Sequence, residues 1–172
     1  MNRVLIVSDS HGLTEELMEI KLRHACTYMF HCGDSELEFD AKELEGFTSV
    51  GGNCDFDSRY PEEFVTDIGD LSFFIAHGHL HNVKMNSMTI SYRAAELDAK
   101  IICFGHTHIA GAEKINDQLF INPGSIRLPR GRTEKTYAVM QWDNVNDIEV
   151  LFYTLDGKLV EDMTYHTDLA DK

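Results

Sequence analysis

Five short apolar runs in this chain end alike, in a small cluster of glycine with histidine, aspartate or asparagine. Val4-Leu5-Ile6-Val7 runs into Ser8-Asp9-Ser10-His11-Gly12, and Tyr28-Met29-Phe30 into His31-Cys32-Gly33-Asp34. Phe47-Thr48-Ser49-Val50 meets Gly51-Gly52-Asn53-Cys54-Asp55. Leu71-Ser72-Phe73-Phe74-Ile75-Ala76 closes on His77-Gly78-His79, and Ile101-Ile102-Cys103-Phe104 on Gly105-His106-Thr107-His108. Runs this short, rich in β-branched and aromatic residues, predict buried strands. Extended backbone alternates its faces, so His106 and His108 are expected to point the same way.

The segments between these runs set the topology. Residues 14–22 predict a helix, with Thr14 as N-cap, acids in the first turn, and Lys21 and Arg23 at the far end. A second helix is expected over about residues 36–44, and a third over 89–99, where Ile90, Ala94 and Leu97 recur at helical spacing. Strand, helix, strand, helix, strand is the order of a right-handed parallel unit. After His108 the pattern changes to hairpins: residues 112–115 and 118–121 around Asn116-Asp117, then 137–142 and 148–154, with Asp156-Gly157 as another turn. No repeat or linker interrupts the chain, so one domain over residues 1–172 is expected.

Composition narrows the class. A 43% hydrophobic content with three prolines suits a globular core. No apolar run approaches the ~20 residues of a spanning helix, so no membrane partner is expected. The strand beginning near Val4 leaves no room for a signal peptide, which points to the cytoplasm. Cys26, Cys32, Cys54 and Cys103 form no C-x-x-C pair and read as free thiols. A net charge of −14 disfavours long nucleic acid as a partner.

The strand ends supply Asp9, His11, Asp34, Asn53, His77, His106 and His108, which are two carboxylates, four imidazoles and one amide. They lie where open α/β sheets bind ligands, just past the carboxyl ends of strands. That set exceeds the need of one tetrahedral ion and matches two ions sharing a carboxylate. Mixed nitrogen and oxygen donors suit Mn²⁺, Fe²⁺, Zn²⁺ or Co²⁺ better than Ca²⁺ or Mg²⁺. Two such ions ~3.5–4 Å apart can clamp the attacking and leaving oxygens of a phosphoryl displacement.

In this order, Asp9-Ser10-His11, Gly33-Asp34, Gly52-Asn53-Cys54-Asp55, His77-Gly78-His79 and Gly105-His106-Thr107-His108 resemble the calcineurin-like metallophosphoesterases. Asn122-Pro123-Gly124-Ser125 points to the small YfcE-like phosphodiesterase branch, and the resemblance covers roughly residues 3–142. It implies a four-layer αββα sandwich with mixed sheets and helices outside. It assigns Asp9, His11 and His108 to one metal, Asn53, His77 and His106 to the other, and Asp34 to both. Mn²⁺ is the first expectation for the pair, with Zn²⁺, Fe²⁺, Ni²⁺ or Co²⁺ as the others.

The activity implied is hydrolysis of a small phosphodiester by hydroxide held between the metals, with Asp34, Asn53, Cys54 and His77 in the catalytic group. Many relatives carry a histidine where this chain has Cys54. A thiol is a poor proton donor at neutral pH, which favours diesters with good leaving groups over monoesters; Cys54 as mere packing is the other reading. His79 and Arg127, with Arg130 nearby, are the candidate substrate contacts. Asp55 either orients the metal loop or simply forms its turn. His81 is expected at the polar surface, and Ser10 and Thr107 are expected to point away from the metals. His24, His31 and His166 read as ordinary hydrogen-bonded or surface histidines. A protein-binding scaffold, the role this fold takes in the small subunit of retromer, is one alternative; a nuclease or nucleotide phosphatase is another. An exposed hairpin edge also leaves room for a homo-oligomer.

Overall fold

A computed structural model describes residues 1–171. Two mixed sheets lie face to face, and each carries a helix on its outer side. In the first sheet, β1 (Asn2–Val7) lies parallel to β2 (Tyr28–His31), which lies parallel to β3 (Phe47–Ser49). The second is built on β5 (Leu71–Ala76), β6 (Ile101–Cys103) and β8 (Gln118–Asn122), also parallel neighbours. Antiparallel strands complete both. β4 (Glu63–Ile68) and β7 (Gly111–Ile115) edge the second sheet, while β9 (Thr136–Asn144), β10 (Asp147–Thr154) and β11 (Tyr165–Thr167) extend the first from β1.

Burial on both faces explains the unbroken apolar runs. Val4 and Ile6 point between the sheets with Phe30, Phe73, Ile75, Ile101, Ile121 and Trp142. Leu5 and Val7 point outward under α1 (Glu15–His24), against Leu17 and Ile20. Phe74 and Ile102 do the same under α2 (Met88–Glu96), against Ile90 and Ala94. Strands buried on two faces lose the alternation that marks a half-exposed strand. The layers run helix, sheet, sheet, helix, as the resemblance implies.

Two expectations need correction, and two strands went unread. The helix expected over 36–44 is absent; only a short 3-10 turn, Lys42–Leu44, forms there. Asp55 takes the backbone N–H of Glu36 and Asp57 that of Phe39, both at 2.8 Å, and Glu36 stands in left-handed backbone (φ 56°). Side chains thus satisfy donors that a helix would have given to its own carbonyls. Strands β4 and β11 had no clear signal, because β4 is a polar edge strand and β11 spans three residues. The third helix stops at Glu96, short of residue 99, where Asp98 turns to φ 55°.

Candidate metal centre

The parallel strands of both sheets end at one place. The loop after β1 runs beside the loop after β2 through Asp9 N–H to Gly33 C=O (3.0 Å), His11 N–H to Asp34 C=O (2.9 Å) and Gly12 N–H to Ser35 C=O (2.8 Å). The two sheets meet there. His106 N–H donates to Asp9 Oδ2 at 3.1 Å, and Ser125 Oγ donates to the Asp9 carbonyl at 2.7 Å. Glycine makes the closeness possible: a Cβ on Gly105 would overlap Ser8 Oγ and Asp9 Oδ2, and one on Gly52 would overlap Asp34 Oδ1. Asp9, His11, Asp34, His106 and His108 all stand at positive φ, between 41° and 68°. For non-glycine residues such backbone costs of order 1–3 kcal/mol each and collects at functional sites.

Asp9, His11 and His108 bring one potential ligand atom apiece within 4.8 Å of one another, and so do Asp9, Asp34 and His77. Asp9 Oδ1 is common ground, at 3.0 Å from His108 Nε2, 3.7 Å from His11 Nε2 and 3.8 Å from His77 Nε2. His77 Nε2 lies 3.1 Å from Asp34 Oδ2, while Asp34 Oδ1 accepts the Cys54 N–H at 2.8 Å. The His106 ring centres 5.1 Å from that of His77, with His79 at 5.3 Å from His77. Asn53 is exposed, its amide nitrogen 3.6 Å from Cys54 Sγ. Arg127 sits at the rim and donates to the His11 carbonyl.

Hydrogen bonds on the far side of each ring fix what the rings present. His77 Nδ1 lies 2.7 Å from the Cys32 carbonyl, and His108 Nδ1 2.7 Å from the Leu128 carbonyl. A carbonyl only accepts, so each Nδ1 carries hydrogen. His11 Nδ1 lies 3.2 Å from Glu36 Oε1, with the same consequence. In these three rings Nε2 is then the atom turned inward, and those of His11 and His108 lie 3.3 Å apart. Two imidazole nitrogens that close must share one cation between them, a proton or a metal ion. Asp9 Oδ1 and His77 Nε2 are moreover buried without any hydrogen bond. Orphaned buried atoms of this kind are costly, and a divalent ion satisfies them. The donor set fits metal.

The electrostatics agree. Burial pushes the Asp9 carboxyl upward, but His108, His11, His77 and the Ser8 hydroxyl overcome it and hold the group well below the carboxylate range. Asp9 pushes His11 up to about 9, against burial. Burial, helped by His77, brings His106 down to about 4, which keeps that ring neutral. The cluster attracts positive charge, and a metal bound there would displace the proton that Asp9 favours on His11.

Several neighbours act through others. Asp55 accepts the N–H groups of Asp34 (2.7 Å), Gly52 (2.8 Å) and Glu36 (2.8 Å), so it orients the Asp34 loop as well as forming a turn. Ser10 turns away to His31 Nε2 at 2.8 Å, and Thr107 Oγ1 accepts from Asn122 Nδ2 at 2.9 Å. His31 is buried, His24 bonds the Tyr137 hydroxyl at 2.6 Å, and His166 faces Glu149 at 3.4 Å. His81 is not simply polar surface; its half-buried ring stands edge-on to Phe74 at 5.9 Å. Sequence reasoning missed Glu36, whose position two residues past Asp34 was the available signal, and the carbonyls of Cys32 and Leu128, which carry none.

Two helix-flanked mixed sheets whose parallel strands converge on carboxylates and imidazoles define a metallophosphoesterase. Residues 2–145 match the calcineurin-like phosphoesterase superfamily domain, and the chain belongs to that family. It is 48% identical to the probable metallophosphoesterase YsnB of Bacillus subtilis, over 93% of this chain and 95% of that one. Phosphodiesterase YfcE of Escherichia coli is 24% identical over 83% of this chain and 89% of its own. Among solved structures, a predicted phosphoesterase from Streptococcus pneumoniae superimposes with a TM-score of 0.92 at 35% identity, covering 97% of each chain. Zinc-complexed Vps29 of Entamoeba histolytica, at 19% identity and a TM-score of 0.75 over 98% and 99% of the two chains, shares the fold.

Proposed function

We propose that the protein is a dinuclear metal-dependent phosphodiesterase acting on a small diester. Asp9, His11 and His108 would hold one ion, Asn53, His77 and His106 the other, and Asp34 would serve both. The observation that carries this is the pair of orphaned buried atoms, Asp9 Oδ1 and His77 Nε2, beside imidazoles that turn Nε2 inward. Mixed nitrogen and oxygen donors suit Mn²⁺, Fe²⁺, Zn²⁺ or Co²⁺, and the family resemblance puts Mn²⁺ first. Such ions supply charge neutralisation at phosphoryl oxygens and hydroxide at neutral pH.

The chain's own groups shape the selectivity. Burial, then the Asp34 carboxylate, pushes the Cys54 thiol up to about 11, so it stays protonated and is a feeble acid beside imidazolium. His79, pushed down by burial and its neighbour His77, is neutral and lies on the His77–His106 side, where it can contact substrate. Diesters with good leaving groups are therefore favoured over monoesters. A net charge of −14 weighs against a nuclease of long chains. The full set of donor types weighs against a metal-free scaffold. Four free cysteines suit the cytoplasm.

The test is metal analysis of protein purified with Mn²⁺, paired with hydrolysis of bis(p-nitrophenyl) phosphate and p-nitrophenyl phosphate. Bound metal and faster diester turnover, lost to a chelator and restored by Mn²⁺, is the expected result. Protein that binds no metal and cleaves neither ester would overturn the proposal.

A further inference from the structure

Phe56 is the most exposed large apolar side chain among the described residues, at 95%. Its backbone is nevertheless bracketed by two carboxylates that bond inward. Asp55 on one side clamps the N–H groups of Asp34, Glu36 and Gly52, and Asp57 on the other clamps those of Phe39 and Arg59. Two inward-bonded carboxylates thus fix the residue between them, which stands out in solvent. Its neighbour Phe39 is different: that ring packs edge-on to Tyr60 at 5.3 Å, with the Arg59 guanidinium 5.9 Å from its centre. Phe56 has no aromatic partner among the described residues.

Phe56 lines a cavity of about 550 Å³ together with Cys54, Leu37, Glu36, Glu38 and Asp57. Two of its lining residues, Glu36 and Cys54, stand beside the metal cluster. His11, Glu36 and Cys54 place one ligand atom each within 4.8 Å of one another, and Cys54 N–H donates to Asp34 Oδ1 at 2.8 Å. A molecule whose phosphoryl group sits at Asp34 and His11 therefore has this cavity as the space for one of its ester arms. The walls state the chemistry of that arm. Phe56 and Leu37 offer an apolar face, and the carboxylates of Glu36, Glu38 and Asp57 line the rest, with Arg59 outside the lining bonded to Asp57 at 2.7 Å. A second phosphate or a carboxylate would meet net negative charge there.

We infer that Phe56 and its cavity form a subsite for one uncharged or cationic, ring-bearing arm of the phosphodiester, and that Phe56 is a specificity-determining residue. This rests on the phosphodiesterase reading and names its substrate class: singly charged diesters with an aromatic or heterocyclic arm, not nucleotides with further phosphates. Stacking on an aromatic face tolerates many ring types, which suits a solvent-facing platform.

Calorimetric binding to the Mn²⁺-loaded protein tests it without relying on turnover, using inorganic phosphate, phenylphosphonate and 4-carboxyphenylphosphonate. Phenylphosphonate should bind the wild-type protein more tightly than phosphate, and the carboxylated ring more weakly than the plain one. Phe56→Ala should weaken phenylphosphonate by about tenfold and phosphate by no more than about twofold, whereas Phe56→Trp should keep the preference. Because the ring is exposed, both variants should unfold at the wild-type temperature. Phosphate binding with no preference for the ring, or a preference that survives Phe56→Ala, overturns the subsite and leaves the phosphodiesterase reading standing. If neither phosphate nor phenylphosphonate binds, that underlying reading fails, and the subsite with it.

Discussion

The two walls of the cleft are built on opposite plans. The inner wall, Asp9, His77 and His108, is buried and anchored by main-chain carbonyls, and it leaves polar atoms that no protein group satisfies. The outer wall, the loop from Cys54 to Asp57, is half-buried apart from Phe56 and anchored by its own carboxylates, which take up neighbouring backbone N–H groups. The inner wall keeps unsatisfied polar atoms that a cation could satisfy, while the outer wall satisfies its own carboxylates and presents Phe56 outward. On the proposed function, affinity for metal belongs to the first and choice of substrate to the second.

That division can be broken most decisively at Asp34, which touches both walls. Asp34→Asn removes the shared carboxylate charge and should lower diester turnover by about a thousandfold or more, since the metals contribute several kcal/mol of charge stabilisation. Near-normal kcat in steady-state assays would falsify the shared role. Next in size is Glu36→Ala. Without the carboxylate that holds His11 Nδ1–H, Mn²⁺ affinity should fall by about 10–100-fold, as measured by calorimetry, with little change in thermal stability. Unchanged affinity would place Glu36 with the outer wall instead.

Cys54→His sharpens the comparison from the other side. An imidazole there supplies the missing proton donor, and p-nitrophenyl phosphate hydrolysis should rise by about tenfold, at the low end of what acid–base catalysis gives. Should monoester rates stay flat, Cys54 is packing. The smallest effect concerns histidines outside the cleft. Burial pushes His31 down to about 4, and His24 falls to about 4 through burial and the charges of Arg3 and Arg23. Their folded values lie below the ordinary ~6.5, so the unfolded chain takes up protons first as pH falls. The stability these neutral rings permit is whole above about pH 6.5 and is lost as pH falls from there through 4. The unfolding midpoint should drop across that window, and His24→Gln should flatten part of the decline; a midpoint indifferent to pH would refute it.

Much of this was legible in the residues. Apolar runs ending in Asp9, Asp34, His77 and His106 announced parallel strands with polar termini, because a strand buried on both faces tolerates no other pattern and a ligand needs the strand end. The Asn116-Asp117 hairpin was equally plain; Asn116 takes φ 56° there. Segment 36–44 misled because its own residues suit a helix, yet Asp55 and Asp57, some twenty residues away, captured its N–H groups. β4 escaped because edge strands need no strong pattern.

By itself, the sequence determined which residue types sit at the strand ends and in what order, since local backbone preference and burial write both into the chain. Only the tertiary structure decided that Cys32 and Leu128 lend their carbonyls to the histidines, that Glu36 stands behind His11, and that Phe56 faces solvent beside Cys54. Those are relations between distant segments, and a main-chain carbonyl has no letter of its own. Which carbonyl faces which ring depends on how two sheets pack, and that is a property of the whole core.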